Sequence, residues 1–147
     1  MDHIQNTTKK QVTKMSLFKR ILLVDDDEDS NFLTKKIIVR SNIADEVATA
    51  LNGKEAFEIV KQCTDTNTQY QCPDLVLLDI KMPVMNGIEF LQVCEASNLC
   101  NIPVVILTSS VDEIDKEETT KFSFVKDYIN KPFTYEKIMT IKSKLDK

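Results

Sequence analysis

Four hydrophobic runs in this chain end on polar groups that together form one chemical set. Ile21-Leu22-Leu23-Val24 ends on Asp25, Asp26 and Asp27, and Leu75-Val76-Leu77-Leu78 ends on Asp79. Val104-Val105-Ile106-Leu107 ends on Thr108, Ser109 and Ser110, and Tyr128-Ile129-Asn130 ends on Lys131-Pro132. An acidic pair, a lone aspartate, a hydroxyl and an ammonium are the groups needed to bind Mg2+ and move a phosphoryl group onto a carboxylate. Mg2+ takes oxygen ligands, usually one or two carboxylates with waters and phosphate. Asp26 and Asp79 are the expected direct ligands, with Asp25 acting through water. Asp79, alone on its run, suits the nucleophile, because carboxylates form aspartyl phosphates. The phosphoryl group in transfer spreads its charge over three oxygens, and Mg2+, Lys131 and Thr108 can each meet one. Lys131-Pro132 is a candidate cis bond that aims the lysine.

Such a set forms only if the runs are parallel strands whose C-terminal ends share one sheet edge, where open α/β sheets place their sites. The pattern along the chain supports this. Run 21–25 is apolar and buried in character, and Phe32, Leu33, Ile37 and Ile38 recur at helical spacing, predicting a helix over about 29–41. Val47 to Ala50 is a short, weak strand near a sheet edge. Asn52-Gly53 turns the chain into a helix over about 53–63, with strand 75–79 after Pro73. Met82 to Gly87 is a turn-rich loop before a helix carrying Ile88, Phe90, Leu91, Val93 and Cys94. Strand 104–108 is followed by Ser110-x-x-Glu113, which reads as a capping box, and a polar helix over about 111–121. Phe124–Asn130 is the fifth strand, and Phe133 to about Lys144 the last helix, with Ile138, Ile141 and Leu145 on one face. Alternating strands and helices predict an α/β fold: a doubly wound, flavodoxin-like, five-stranded parallel sheet in the order 2-1-3-4-5 with five helices. Residues 1–18 are polar and aperiodic, an expected flexible extension, and 19–147 form the folded unit.

Composition removes several classes. With 147 residues, a net charge of −4 and a pI of about 5.1, the chain lacks the basic balance of a nucleic-acid-binding domain. No apolar stretch approaches the roughly 20 residues of a membrane span, and Met1 to Lys19 has no apolar core of a secretory signal. Gly53 and Gly87 are the only glycines, which excludes glycine-rich dinucleotide and nucleotide loops. His3 is the only histidine, so neither a Ser-His-Asp hydrolase nor a phosphohistidine carrier is expected. Cys63, Cys72, Cys94 and Cys100 lack a C-x-x-C spacing and read as reduced thiols of a cytoplasmic protein.

Taken in order, these segments resemble the receiver domain of two-component response regulators, of the single-domain chemotaxis type. The resemblance lies in Ile21-Leu-Leu-Val-Asp-Asp-Asp, Asn52-Gly53-x-Glu55-Ala56, Pro73-Asp-Leu-Val-Leu-Leu-Asp79-x-x-Met-Pro-x-Met-x-Gly87, Val104-Val-Ile-Leu-Thr108-Ser and Tyr128-x-x-Lys131-Pro132-Phe133, and covers roughly residues 19–146. It implies phosphorylation of Asp79 by a histidine kinase or histidine phosphotransfer protein. It also implies Mg2+ held by Asp26, Asp79 and the Lys81 backbone carbonyl, with Asp25 in the outer shell. Thr108 and Tyr128 match the family's switch pair, and Lys131 its phosphate-binding lysine. Where many members have Gly-Ala before the fifth strand, this chain has Phe124-Val125-Lys126-Asp127. That departure bears on the polar helix and the output face rather than on the phosphorylation site.

The implied protein is a phosphoacceptor, not an enzyme beyond its own phosphorylation and dephosphorylation. Its output is contact with an unidentified downstream protein, without nucleic acid or membrane. Lys81 and Ser110 flank the path of a hydrolytic water and are the expected lifetime-tuning residues, giving a longer-lived phosphoprotein than in fast chemotaxis relatives. Two alternatives stand beside this reading. A haloacid-dehalogenase-type phosphatase also uses an aspartyl phosphate, but there the nucleophile comes first in the chain and the acidic pair last. A receiver-like scaffold without phosphorylation would not need the full Asp, Thr and Lys set. Asp27, Glu28 and Asp29 read as helix-start acids facing the helix dipole.

Overall fold

The computed structural model describes residues 16–65, 71–99, 101–109 and 113–146. The strands are β1 (Phe18–Val24), β2 (Ala44–Ala50), β3 (Leu75–Leu78), β4 (Val104–Thr108) and β5 (Val125–Asn130). The helices are α1 (Glu28–Arg40), α2 (Gly53–Thr64), α3 (Gly87–Ala96), α4 (Glu113–Thr120) and α5 (Tyr135–Leu145). All strand pairs are parallel, in the order β2-β1-β3-β4-β5. The sheet and its order are those the alternating pattern predicts. No helix among the described residues is long and apolar enough to cross a membrane.

Successive side chains of a strand face opposite sides, so each strand feeds two cores. Leu22, Val24, Val76, Leu78, Val104 and Ile106 face α2 and α3, packing with Ala56, Val60, Phe90 and Leu91. Ile21, Leu23, Leu75, Leu77, Val105 and Leu107 face α1 and α5, packing with Ile38, Ile138 and Ile141. Helices α1, α2, α3 and α5 start on polar caps. Asp27 accepts from Asp29 N and Ser30 N, Asn52 from Glu55 N, and Thr134 from Lys137 N. Asn86 and Glu89 form a reciprocal capping box at α3. The box expected at Ser110 lies outside the described residues, as does the extension up to residue 15.

Several details differ from the sequence reading. Phe18 is buried and opens β1, inside the stretch assigned to the extension. β2 has seven residues, beginning where Phe18 N donates to Ile43 O at 2.9 Å. Its edge position suits the exposed Asp45 and Glu46, which blunt a free edge. In α1 the stripe that turns inward is Asn31, Thr34 and Ile38, whereas Phe32 and Leu33 are 63% and 60% exposed. Their spacing marks the helix correctly but not its buried face, because the acidic end of the sheet takes polar side chains.

The cysteines require a correction. Cys63 and Cys72, expected as reduced thiols, form a disulfide in this structure. α2 runs back along the sheet, so its last turn meets the residues leading into β3. That brings the two Cα atoms to 4.9 Å, inside the range a disulfide needs. Cys94 is a buried thiol on α3.

β4 and β5 are out of simple register. Val104 pairs with Val125 but Val105 with Asp127, leaving Lys126 as an extra residue. The bulge reverses the alternation, so that Tyr128 pairs with Ile106 and packs on the α2–α3 side. Without it Tyr128 would lie opposite Leu107, on the other face. The bulge falls within Phe124-Val125-Lys126-Asp127, the segment that departs from the family pattern.

Gly87 allows α3 to begin against the end of β3. A Cβ there would lie 2.6 Å from the Asp79 carbonyl oxygen and 2.8 Å from Ile80 Cα, both backbone atoms that cannot step aside. Gly87→Ala is expected to lower stability by about 2 kcal/mol, typical of overpacking. A urea midpoint equal to wild type would contradict this.

Candidate functional site

The strand ends converge at the C-terminal edge of the sheet. Asp79 directly follows β3, and its N–H donates to Val24 O at 2.9 Å, which holds it beside the end of β1. Its Oδ1 accepts from Ile80 N at 2.7 Å. Its Oδ2 lies 3.4 Å from Lys131 Nζ. The loop beyond is fixed at both ends. Gly87 N donates to Ile80 O and Gly53 N to Met85 O, each at 2.8 Å. These ties hold Val84 at φ 69°, a region β-branched residues rarely adopt.

Asp25 has a partner for every polar atom. Its N–H donates to Ala50 O at 3.0 Å, and its carbonyl accepts from Asn31 Nδ2 at 2.8 Å. Its Oδ1 accepts from Asp27 N at 3.0 Å, and its Oδ2 is ion-paired with Lys131 Nζ. Asp26 is exposed. Ligand atoms of Asp25, Asp26 and Asp79 all lie within 4.8 Å of one another.

The lysine is held as firmly as the acids. Lys131 N donates to Thr108 O at 2.9 Å, tying the end of β5 to the end of β4. The Lys131-Pro132 bond is cis. Lys137 Nζ donates to Asn130 O at 2.8 Å and Pro132 O at 2.9 Å, gripping the chain on both sides of Lys131. The structure thus gathers the side chains of Asp25, Asp26, Asp79 and Lys131, with the buried Thr108 at the same edge. Tyr128 is half-buried on β5, packed against the core rather than in the acidic group. Lys81 is exposed two residues beyond Asp79, and Ser110 lies outside the described residues. Asn31 and Lys137 were not singled out by sequence. Their contacts are to backbone carbonyls, which leave no motif.

The electrostatics follow from the Lys131 ammonium facing the two carboxylates of Asp25 and Asp79. Burial, the largest influence, pushes the Asp79 carboxyl up. Lys131 pulls it down, Asp25 pushes it up, and the net shift is upward. For Lys131, burial is the largest single influence and acts downward, but the bond to Asp25 and the charges of Asp79 and Asp25 prevail, so its net shift is upward. An aspartate with a raised folded pKa stabilises most below its unfolded value of 3.8 and loses that stability as pH rises through the folded value. Without metal, Asp79→Asn is therefore expected to melt above wild type at neutral pH. The gap should shrink as the pH falls toward 3.8. A gap that widens on acidification would contradict the upward shift.

The donor set fits a hard divalent cation. Opposite ligands of Mg2+, each about 2.1 Å from the ion, lie about 4.2 Å apart. A spread of up to 4.8 Å suits two direct carboxylates with the third acting through water. Asp25, with both oxygens already engaged, is the natural third.

The family model described as the response regulator receiver domain matches residues 21–142. Among curated relatives, the uncharacterized transcriptional regulatory protein YrkP of Bacillus subtilis is 36% identical over 119 residues, covering 81% of this chain and 46% of that protein. The DNA-binding response regulator MtrA of Mycobacterium tuberculosis is 37% identical over 116 residues, covering 78% of this chain and 45% of that protein. The chain thus spans about half the length of these curated relatives. Among solved structures, the bacteriophytochrome response regulator AtBRR superposes with a TM-score of 0.74 at 32% identity, covering 87% of this chain and 92% of that one. A two-component response regulator from Cytophaga hutchinsonii superposes with a TM-score of 0.76 at 26% identity, covering 87% and 96%. With its strand order, its acidic edge and a family match over most of its length, this chain belongs to the response regulator receiver domain family.

Proposed function

We propose that this chain accepts a phosphoryl group on Asp79 from a phosphohistidine of a histidine kinase or histidine phosphotransfer protein, in a Mg2+-dependent reaction, and signals by contact with another protein. The observation that carries this is the meeting of Asp25, Asp26 and Asp79 within 4.8 Å at the edge where Lys131 also ends. An Asp79 oxygen attacks phosphorus as the phosphorus–nitrogen bond breaks, and the imidazole leaves with the bonding pair. Mg2+, held by Asp26, Asp79 and the Lys81 backbone carbonyl with Asp25 through water, would neutralise charge on the phosphoryl oxygens. Lys131 already lies 3.4 Å from Asp79 Oδ2, placed to meet a second oxygen. The Thr108 hydroxyl donates to the third, and Tyr128 follows Thr108 inward as the switch. Phosphate shifts the balance of conformations only by its differential interaction with the two states. The acidic balance of the chain favours a protein over nucleic acid as the output of this receiver part. The same reading assigns the chain to the cytoplasm, the compartment in which a histidine kinase would draw its phosphoryl group from ATP.

The test is Mg2+-dependent labelling by acetyl phosphate. A receiver gains a stable adduct, a haloacid-dehalogenase-type phosphatase turns the donor over continuously, and a scaffold does neither. The adduct is expected.

Its lifetime depends on Lys81. The exposed ammonium reaches over a phosphoryl oxygen and crowds the water that must approach opposite Asp79. Lys81→Asn is expected to speed loss of phosphate by about tenfold, equivalent to about 1.4 kcal/mol of barrier. Decay at the wild-type rate would remove Lys81 from this role.

A further inference from the structure

We propose that Asn31 is a positioning residue for the cation site, holding the Asp25–Asp26 peptide so that the Asp26 carboxylate faces Asp79. The proposal rests on the metal reading above. Asn31 lies in the first turns of α1 and is 5% exposed. Its Nδ2 donates to Asp25 O at 2.8 Å, the carbonyl of the peptide that leads into Asp26. Its own N–H donates to Asp27 O at 3.0 Å, so one residue grips the chain on both sides of Asp26. The other atoms of Asp25 are already taken by Ala50, Asp27 and Lys131. Rotation of this peptide is therefore resisted on the Asp26 side chiefly by the Asn31 amide. Asp26 is exposed, and its aim depends on the backbone that carries it.

One feature of Asn31 argues against a role in packing alone. Its Oδ1 is buried without a hydrogen-bond partner among the described residues. Buried polar atoms are nearly always paired, because an unpaired one is destabilising. On the same inward stripe Ile38 shows that an apolar side chain is accommodated. A residue kept only to fill space would not bring an unpaired carbonyl into the interior. The half of the amide that is paired is the half that touches the Asp25 carbonyl. Groups that orient a metal ligand without touching the ion typically change affinity by about 10- to 100-fold when removed.

Asn31→Leu keeps the branching of the side chain and removes both polar atoms. It deletes one unpaired oxygen and leaves another, on Asp25, so metal-free stability should change little. Asn31→Ala does the same without asking for extra volume, and covers the case in which leucine does not fit. The experiment is calorimetric titration of metal-free, full-length protein with MgCl2, paired with urea unfolding in a chelator. The expected result is Mg2+ affinity weakened about tenfold in both variants at a near wild-type urea midpoint. The proposal is overturned if a folded variant binds Mg2+ within about twofold of wild type. It is equally overturned if affinity falls only together with metal-free stability, which would make Asn31 a structural residue. Wild-type protein that takes up no Mg2+ would overturn the metal reading beneath it, a result recognisable without any variant.

Discussion

Asp79→Asn protein is expected to gain no phosphoryl group from acetyl phosphate in Mg2+, with labelling reduced to background. The amide is nearly isosteric with the carboxylate, so it keeps the shape of the end of β3. The Asp79 N–H bond to Val24 O and the Ile80 N–H bond to the side-chain oxygen can both persist. What is lost is the nucleophile, since an amide oxygen does not form an acyl phosphate. One direct Mg2+ ligand also loses its charge. The fold should not be the cause of failure, because removing an ionised carboxylate from a crowded acidic site stabilises the metal-free protein at neutral pH. The labelling assay therefore goes with a melting curve. A variant that melts at or above wild type yet labels normally would remove Asp79 from its assigned role.

Lys131→Met should have the largest effect on stability. It removes the ammonium that pairs with both Asp25 and Asp79, and the Asp25 side chain is only 3% exposed. Deleting one partner of a buried ion pair costs about 3–5 kcal/mol, because the other charge is left uncompensated. The Lys131 side chain remains 19% exposed, so the lower end, about 3 kcal/mol, is expected. For a domain of this size that is a fall in Tm of about 6–12 °C. Mg2+ should restore part of it, because a ligand that binds only the folded state stabilises it. Phosphorylation should slow by about a hundredfold, as when an electrostatic donor to a transition state is removed. A Tm within a degree or so of wild type in chelator would show that Asp25 does not depend on Lys131.

The strands and their polar ends were legible because parallel strands buried on both faces read as continuous apolar runs. Each site aspartate, Thr108 and Lys131 stands at such an end, so sequence position alone placed them at one edge. The buried face of α1 was legible only in its second half, at Ile37 and Ile38. Its inward stripe begins with Asn31 and Thr34, polar residues that periodicity assigns to solvent. The shift of β5 by Lys126 leaves no pattern either, since it depends on the pairing partner across β4. The same holds for Cys63–Cys72. Nine residues of separation carry no signal until α2 is known to return to the start of β3. The grips on Asp25 and on the Lys131 loop, made by Asn31 and Lys137, are tertiary contacts to main-chain carbonyls and are visible only in three dimensions.

The most direct test is to find the phosphorylated atom. Protein labelled by acetyl phosphate in Mg2+ is treated with borohydride, which reduces an acyl phosphate and converts the aspartate that carried it to homoserine. Peptide mass mapping then reads the position. Homoserine at position 79, absent when Mg2+ is chelated before labelling, is the expected result. Homoserine at Asp25 or Asp26, or no reducible adduct in protein that has bound Mg2+, would contradict the assignment of Asp79 as the phosphoacceptor.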